Sequence, residues 1–136
     1  MSKKSNYIKT NHTKHCLKIH LIFVCKYRKS LLVDDLDDDM KKILHNIATK
    51  SDFKIEVMES DINHVHLLIR YIPRLSISSI VQKLKQQSTK EIWLLYSSFL
   101  TKQFWLEKTF WSDGYFACSI GEASSETIRN YILNQG

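Results

Sequence analysis

Two histidines separated by one residue stand in a predicted strand of this chain. His64 and His66 belong to the segment HVHLLIRY, residues 64–71. Residues i and i+2 of a strand point to the same face, about 6.5 Å apart along the chain, so the two imidazoles can converge on one metal ion. The apolar residues between and after them would face the core. Two surface histidines on an amphipathic strand give the same pattern, and the pair alone does not establish a metal site.

A tyrosine and a glutamine lie four residues apart in the last predicted helix. Tyr131 and Gln135 therefore project from one helix face. A tyrosine in this setting is usually a packing residue. Its phenolate oxygen can also act as a nucleophile, and a glutamine amide oxygen can bind a metal ion. Together with a strand that carries two histidines, the pair suggests a catalytic tyrosine and a third metal ligand.

The charge distribution favours a polyanionic partner. The net charge is +6, and the first 30 residues carry eight Lys or Arg and no acid. Such a surface suits nucleic acid, although many mildly basic proteins bind none. We expect phosphate contacts from cations of the first 30 residues, of the segment after the histidines and of the helix that follows. These candidates are Lys26, Arg28, Arg70, Arg74, Lys83, Lys85 and Lys90.

Composition excludes several other classes of protein. The 136 residues suit one domain spanning 1–136, and no run of about 18 apolar residues predicts a membrane span. The N-terminus lacks an apolar signal core, and three widely spaced cysteines form neither a disulfide framework nor a CxxC metal pattern. We therefore expect a cytoplasmic protein. No Gly-rich phosphate loop is present, which argues against ATP use.

The elements that must position these residues follow from hydrophobic periodicity. We predict a strand over 16–27, a helix that begins in the acidic run 34–39, strands over 53–57 and 64–71, a helix over 76–96, a strand over 115–120 and a final helix capped by Ser124 or Ser125. Residues 59–63 are predicted to be a polar connection, and 97–113 resist assignment. This order predicts an α+β, ferredoxin-like (β-α-β-β-α-β) fold: a four-stranded antiparallel sheet, helices on one face and a C-terminal helix that carries the tyrosine.

Four segments, in order along the chain, resemble the single-tyrosine HUH transposases of the smallest bacterial and archaeal insertion sequences. HCLKIHLIFVCKYRKSLL (15–32) is similar to the family's first strand, with its histidine and KYR, and NHVHLL (63–68) to its HUH motif, where U is a large hydrophobic residue. FWSDGYFACSIG (110–121) and IRNYILNQ (128–135) are similar to its aromatic segment and its tyrosine helix. One departure is Asn63, because the family commonly has Asp directly before the first histidine.

The resemblance implies a reaction and a set of partners. In such a transposase His64, His66 and Gln135 hold a divalent ion, Mg²⁺ or Mn²⁺, and Tyr131 attacks single-stranded DNA. The products are a 5′-phosphotyrosine and a free 3′-hydroxyl, which allow site-specific cleavage and rejoining. The implied partners are single-stranded DNA hairpins at transposon ends and a second copy of the chain. In that homodimer the tyrosine helix serves either its own subunit or, in trans, the partner's site.

Two other functions fit parts of the sequence. A non-catalytic nucleic-acid-binding domain can use the same kind of sheet, although such domains carry aromatic residues where His64 and His66 stand here. A replication-initiation or relaxase-type HUH nickase shares the chemistry, but those proteins are generally larger. Metal-dependent nicking of single-stranded DNA distinguishes an enzyme from a binding domain. Rejoining to a second DNA end distinguishes a transposase from a nickase.

Overall fold

The computed structural model describes residues 8–10, 13–15, 17–119 and 125–135. Its elements are β1 (Ile8–Thr10), β2 (Thr13–His15), β3 (Leu17–Val24), α1 (Asp34–Thr49), β4 (Phe53–Asp61), β5 (His64–Tyr71), α2 (Ile77–Phe104), β6 (Phe116–Ser119) and α3 (Ser125–Leu133). Strands β1 and β2 pair with each other as a separate antiparallel sheet. The sequence did not predict them, because three mostly polar residues carry no hydrophobic alternation. The predicted serine cap Ser124 lies outside the described residues.

Strands β3 to β6 form one antiparallel sheet in the order β4-β5-β3-β6. The predicted α+β fold, with its four antiparallel strands and its β-α-β-β-α-β succession, is confirmed. The register pairs Ile22 with His66, Val24 with His64, and Ile22 also with Phe116. Directly paired residues share a face of a sheet. One face, called here the histidine face, therefore carries these five side chains.

The hydrophobic core lies between the opposite sheet face and the helices α1 and α2. Alternate residues of the two central strands are buried in it: Ile19, Leu21, Phe23, Val65, Leu67 and Ile69. Each helix adds apolar residues three or four apart, which line one helix face: Leu36, Met40, Ile43, Leu44 and Ile47 from α1, and Ile80, Val81, Leu84 and Ile92 from α2. Helices α1 and α2 therefore do not cover the histidine face.

The acidic run begins α1, as predicted. Three carboxylates, Asp34, Asp35 and Asp37, lie in the first turn. Negative charge at this end stabilises the helix dipole by a few tenths of a kcal/mol to about 1 kcal/mol. No helix within the described part of the chain is long and apolar enough to cross a membrane.

Three predicted boundaries were wrong. Strand β3 ends at Val24 instead of near residue 27, because the chain turns into a short 3-10 helix over Lys26–Arg28. Strand β4 continues to Asp61, so the polar connection predicted over 59–63 shrinks to Ile62 and Asn63. Polar residues extend this strand because β4 lies at the sheet edge, with solvent along one side. Helix α2 runs to Phe104 instead of ending near 96, because a non-helical residue, Tyr96 (φ −129°, ψ 34°), bends it without ending it.

Candidate active site

The two histidines predicted from spacing lie together on β5, half-buried on the histidine face. Burial lowers the pKa of both imidazoles, which favours the neutral form that binds metals. Nδ1 of His64 lies 2.9 Å from Oδ1 of Asn63. Because an amide oxygen only accepts, His64 donates from Nδ1 and keeps the Nε2 lone pair for another ligand. Asn63 thus orients this imidazole.

A third imidazole, that of His20, completes a stacked pair with His66. Nδ1 of His20 lies 2.8 Å from Nε2 of His66, and the ring centroids are 4.9 Å apart. One nitrogen of the pair donates and the other accepts. A metal ion bound at Nδ1 of His66 would leave this bond intact, whereas one bound at Nε2 would replace it. His20 therefore influences which nitrogen of His66 is available.

The ring of Tyr131 packs over β6 on the side of the histidine face. Its centroid lies 5.7 Å from that of Phe116, and its hydroxyl oxygen lies 3.6 Å from where a Cβ of Gly114 would stand. The hydroxyl is buried and makes no hydrogen bond with any described residue. Burial raises the pKa of Tyr131 to about 12. In this conformation the phenol is protonated and shielded from water.

Gln135 contacts the same short stretch of chain as Tyr131. Its Oε1 accepts a hydrogen bond from Oγ of Ser112 at 3.2 Å and lies 3.7 Å from where a Cβ of Gly114 would stand. The tyrosine and the glutamine therefore lie together as predicted, but not on one helix: α3 ends at Leu133, and Gln135 lies in the turn that follows it. Their shared support is the short segment 112–114, called here the floor segment.

The structure brings the histidines together and the tyrosine and glutamine together, as two groups on one face. Among the described side chains, no hydrogen bond joins Tyr131 or Gln135 to His64 or His66. Strand β3 lies between β5 and β6, so the two groups are separated by two strand spacings, or about 10 Å. Between them lie Ile22 and Val24 of β3, whose side chains are fully buried.

Three of the cations predicted to contact DNA make contacts within the chain around the tyrosine helix, and their binding to DNA stays a prediction. Arg28 donates from Nη1 to the carbonyl of Leu133 at 2.8 Å, and a cation there also complements the C-terminal end of α3. Lys26 pairs with Asp113 of the floor segment at 3.1 Å. Lys85 donates to all three backbone carbonyls of that segment, those of Ser112, Asp113 and Gly114, at 2.6, 3.1 and 3.0 Å.

The remaining predicted DNA contacts lie away from the floor segment. Arg70 lies 3.4 Å from Glu56, and Arg74 forms a 2.7 Å ion pair with Asp52 at the surface. Lys83 and Lys90 lie on α2 and line separate grooves. DNA binding by each of these cations stays a prediction.

Three residues of the site were not singled out from the sequence: His20, Ser112 and Gly114. For His20 a signal existed, since Leu17, Ile19 and Leu21 alternate on the core side and place it on the other face. For Ser112 and Gly114 no spacing rule was available. Their role depends on α3 folding back over a loop more than ten residues earlier in the chain. Within the described residues no group of three His, Cys, Asp or Glu could hold a metal ion.

The known proteins that this chain resembles are transposases. The chain belongs to the IS200-like transposase family, whose sequence profile matches residues 13–135. It is 32% identical over 119 residues to the ISDra2 transposase TnpA of Deinococcus radiodurans, covering 88% of this chain and 84% of that protein. It is 28% identical over 125 residues to the transposase for insertion sequence element IS200 of Salmonella typhimurium, covering 91% and 80%.

Solved structures agree with that assignment. The chain superposes with a TM-score of 0.86 on a Deinococcus radiodurans R1 protein described as a transposase, at 30% identity, covering 94% of this chain and 97% of that one. A REP-associated tyrosine transposase bound to a REP hairpin gives a TM-score of 0.57 at 15% identity, covering 93% and 64%, a likeness of fold. The resemblance drawn from the four motifs is confirmed, and the protein is a transposase.

Proposed function

We propose that this transposase cuts and rejoins single-stranded DNA at specific sites through a 5′-phosphotyrosine on Tyr131, aided by a divalent ion on His64 and His66. The main observation in support is that Tyr131 and the two histidines lie on the same face of the sheet. The Tyr131 ring packs on Phe116, and Phe116 is in register through Ile22 with His66. A nucleophile and two metal-binding imidazoles therefore flank one strip of the sheet.

Tyr131 supplies the attacking oxygen. A bond forms from this oxygen to the scissile phosphorus, and the bond from phosphorus to the 3′ oxygen breaks. The phenolic proton leaves to solvent, and the departing 3′ oxygen takes up a proton. A 3′-hydroxyl from another strand reverses the step, so the phosphotyrosine conserves the bond energy. Because the pKa of Tyr131 is raised to about 12, removal of the phenolic proton is part of the barrier.

The donor set fits a divalent ion. His64 presents a free Nε2 because Asn63 binds its Nδ1, and a lowered pKa keeps both imidazoles in the neutral, ligating form. Nitrogen donors suit Mn²⁺ better than Mg²⁺, which prefers oxygen. Gln135 would add an amide oxygen once its bond from Ser112 is released. When bound, the ion supplies Lewis-acid polarisation of the scissile phosphate.

The proposed substrate is single-stranded DNA beside a hairpin. The net charge of +6 favours a polyanion. A structural neighbour of the same fold is bound to a REP hairpin, which supports hairpin binding here. Along α2 runs a groove of about 750 Å³ that is lined by Lys90 and Lys108, with Trp93 in its wall. Two ammonium groups along one groove suit the phosphates of a nucleic-acid backbone.

Formation of a covalent adduct tests the proposal. We expect a single-stranded hairpin oligonucleotide labelled at its 3′ end to become attached to the protein in Mn²⁺ or Mg²⁺, as seen on a denaturing gel. EDTA should reduce the adduct by at least about 100-fold, since the ion contributes several kcal/mol of charge stabilisation, and excess Mn²⁺ should restore it. An unlabelled strand with a 3′-hydroxyl should then be joined to the label.

Each other result identifies a competing function. Binding without any adduct would favour a non-catalytic binding domain. An adduct that never rejoins would favour a nickase. Adduct formation at full rate in EDTA would show that cleavage does not need a metal ion.

The proposed active unit is a homodimer in which the tyrosine helix serves either its own subunit or the partner's site. An equal mixture of His64→Ala and Tyr131→Phe proteins, after subunit exchange, distinguishes the two arrangements. In a cis arrangement the mixture should remain as inactive as either variant. In a trans arrangement half of the dimers would have one intact site, and about a quarter of wild-type adduct formation would return. A fully active monomer by light scattering would contradict the dimer.

A further inference from the structure

Lys85 is fully engaged by backbone carbonyls beneath the tyrosine helix. Its ammonium group has three protons, and the carbonyl oxygens of residues 112, 113 and 114 lie 2.6, 3.1 and 3.0 Å away. The side chain is half-buried, and burial lowers the pKa of Lys85. Contact with a DNA phosphate would therefore require this group to leave partners that already satisfy it.

The floor segment that Lys85 binds supports both candidate catalytic side chains. Ser112 donates to Gln135, and Gly114 lies directly beneath the hydroxyl of Tyr131. The backbone N–H of Ser112 also donates to the carbonyl of Val24 at 2.7 Å, which fixes the segment to the end of β3. The floor segment is thus tied to the sheet on one side, to α2 by one lysine, and to α3 above.

We propose that Lys85 is a positioning residue, which holds the floor segment in the shape that seats Tyr131 and Gln135 for attack. The role rests on the proposed function and deepens it. Convergent carbonyl groups repel one another, and an ammonium at their centre offsets that repulsion. Without it the segment relaxes and the tyrosine oxygen is displaced. A displacement of 1 Å from the reactive position can cost about 100-fold in rate.

The experiment compares Lys85→Met, which keeps the length of the side chain and removes the charge, with wild type. Lys42→Met is the matched control, since Lys42 is exposed on α1. Hydrogen exchange measures protection of α3, and single-turnover assays measure the rate of adduct formation. The dissociation constant for a hairpin oligonucleotide is measured at several salt concentrations in a Tyr131→Phe background.

We expect α3 to exchange faster in Lys85→Met, and adduct formation to slow on the order of 100-fold, with an affinity within about 2-fold of wild type. Lys85→Arg keeps donors at this position and should recover most of the rate. Lys42→Met should match wild type in every measurement. If Lys85→Met does not melt cooperatively, Lys85→Arg and Ser112→Ala carry the comparison, the latter with faster exchange of α3 and a smaller rate loss.

Three outcomes would overturn the proposal. One is unchanged exchange of α3, and another is faster exchange with no loss of rate. The third is weaker binding with a salt slope that falls by about one unit, because that is the signature of a lost phosphate contact. If the wild type itself forms no adduct, the proposed function fails, and the exchange comparison alone decides the role of Lys85.

Discussion

Replacing Tyr131 with phenylalanine should abolish the covalent adduct while the protein stays folded and binds hairpin DNA. The variant keeps the ring that packs on Phe116 and removes only the oxygen that attacks phosphorus. Loss of the nucleophile from a catalytic unit costs at least about 10⁴-fold in rate. A denaturing gel with labelled single-stranded DNA measures this directly.

The same substitution carries a separate expectation for stability. The Tyr131 hydroxyl is buried and makes no hydrogen bond to any described group. Burying a hydroxyl without a partner costs free energy, so its removal should leave the unfolding free energy unchanged or raise it by about 1 kcal/mol. Thermal melting checks this. A substitution that abolishes activity without lowering stability identifies a side-chain group that the fold does not require.

Tyr71→Phe is the control for the loss of a phenol. Tyr71 ends β5 and packs against the hydrophobic core, away from the floor segment. Its variant should form the adduct at the wild-type rate. An adduct that survives in Tyr131→Phe would show that another residue is the nucleophile.

The fold was largely predictable because alternation is strong where the chain is buried on one side. On β3 and β5 every second residue enters the core, and this period of two identified both strands. Their pairing also put His64 and His66 on the face that the core does not use. The boundaries failed where tertiary contacts override local pattern. Tyr96 bends α2 without ending it, since its hydroxyl donates to Asp39 of α1 and later turns still bury Leu100.

The site was predictable only as far as it is local in sequence. Spacing within one strand identified His64 and His66. Spacing within the predicted final helix identified Tyr131 and Gln135, although α3 itself ends at Leu133. The contact of His20 with His66 joins residues 46 positions apart, and no periodicity measures that distance. The lysines illustrate the same limit. A charge on a polar helix face suggests solvent or phosphate, whereas Lys85 is held by backbone carbonyls 27 to 29 residues later.

Replacing either histidine of β5 with alanine should eliminate metal-dependent cleavage. Each variant removes one of two imidazoles from a donor set in which no described His, Cys, Asp or Glu provides a third. We expect adduct formation to fall by at least about 100-fold, the same loss as removal of the ion by EDTA, since the bound ion contributes several kcal/mol. The paramagnetic signal of bound Mn²⁺ provides a measurement independent of catalysis, and it should be lost with His64→Ala or His66→Ala.

The hydrogen bond from His64 to Asn63 gives this prediction a graded test. Asn63→Ala keeps the ligand and removes the oxygen that orients it, so metal affinity should weaken by about 10- to 100-fold. Asn63→Asp supplies a charged acceptor and should strengthen binding. Because both histidines lie outside the hydrophobic core, none of these variants opens a core cavity. His45→Ala, at an exposed position on α1, is the control and should behave as wild type. Unchanged Mn²⁺ binding in both His64→Ala and His66→Ala would show that the metal ion binds elsewhere. It would thereby contradict a mechanism in which the ion and Tyr131 act on the same face of the sheet.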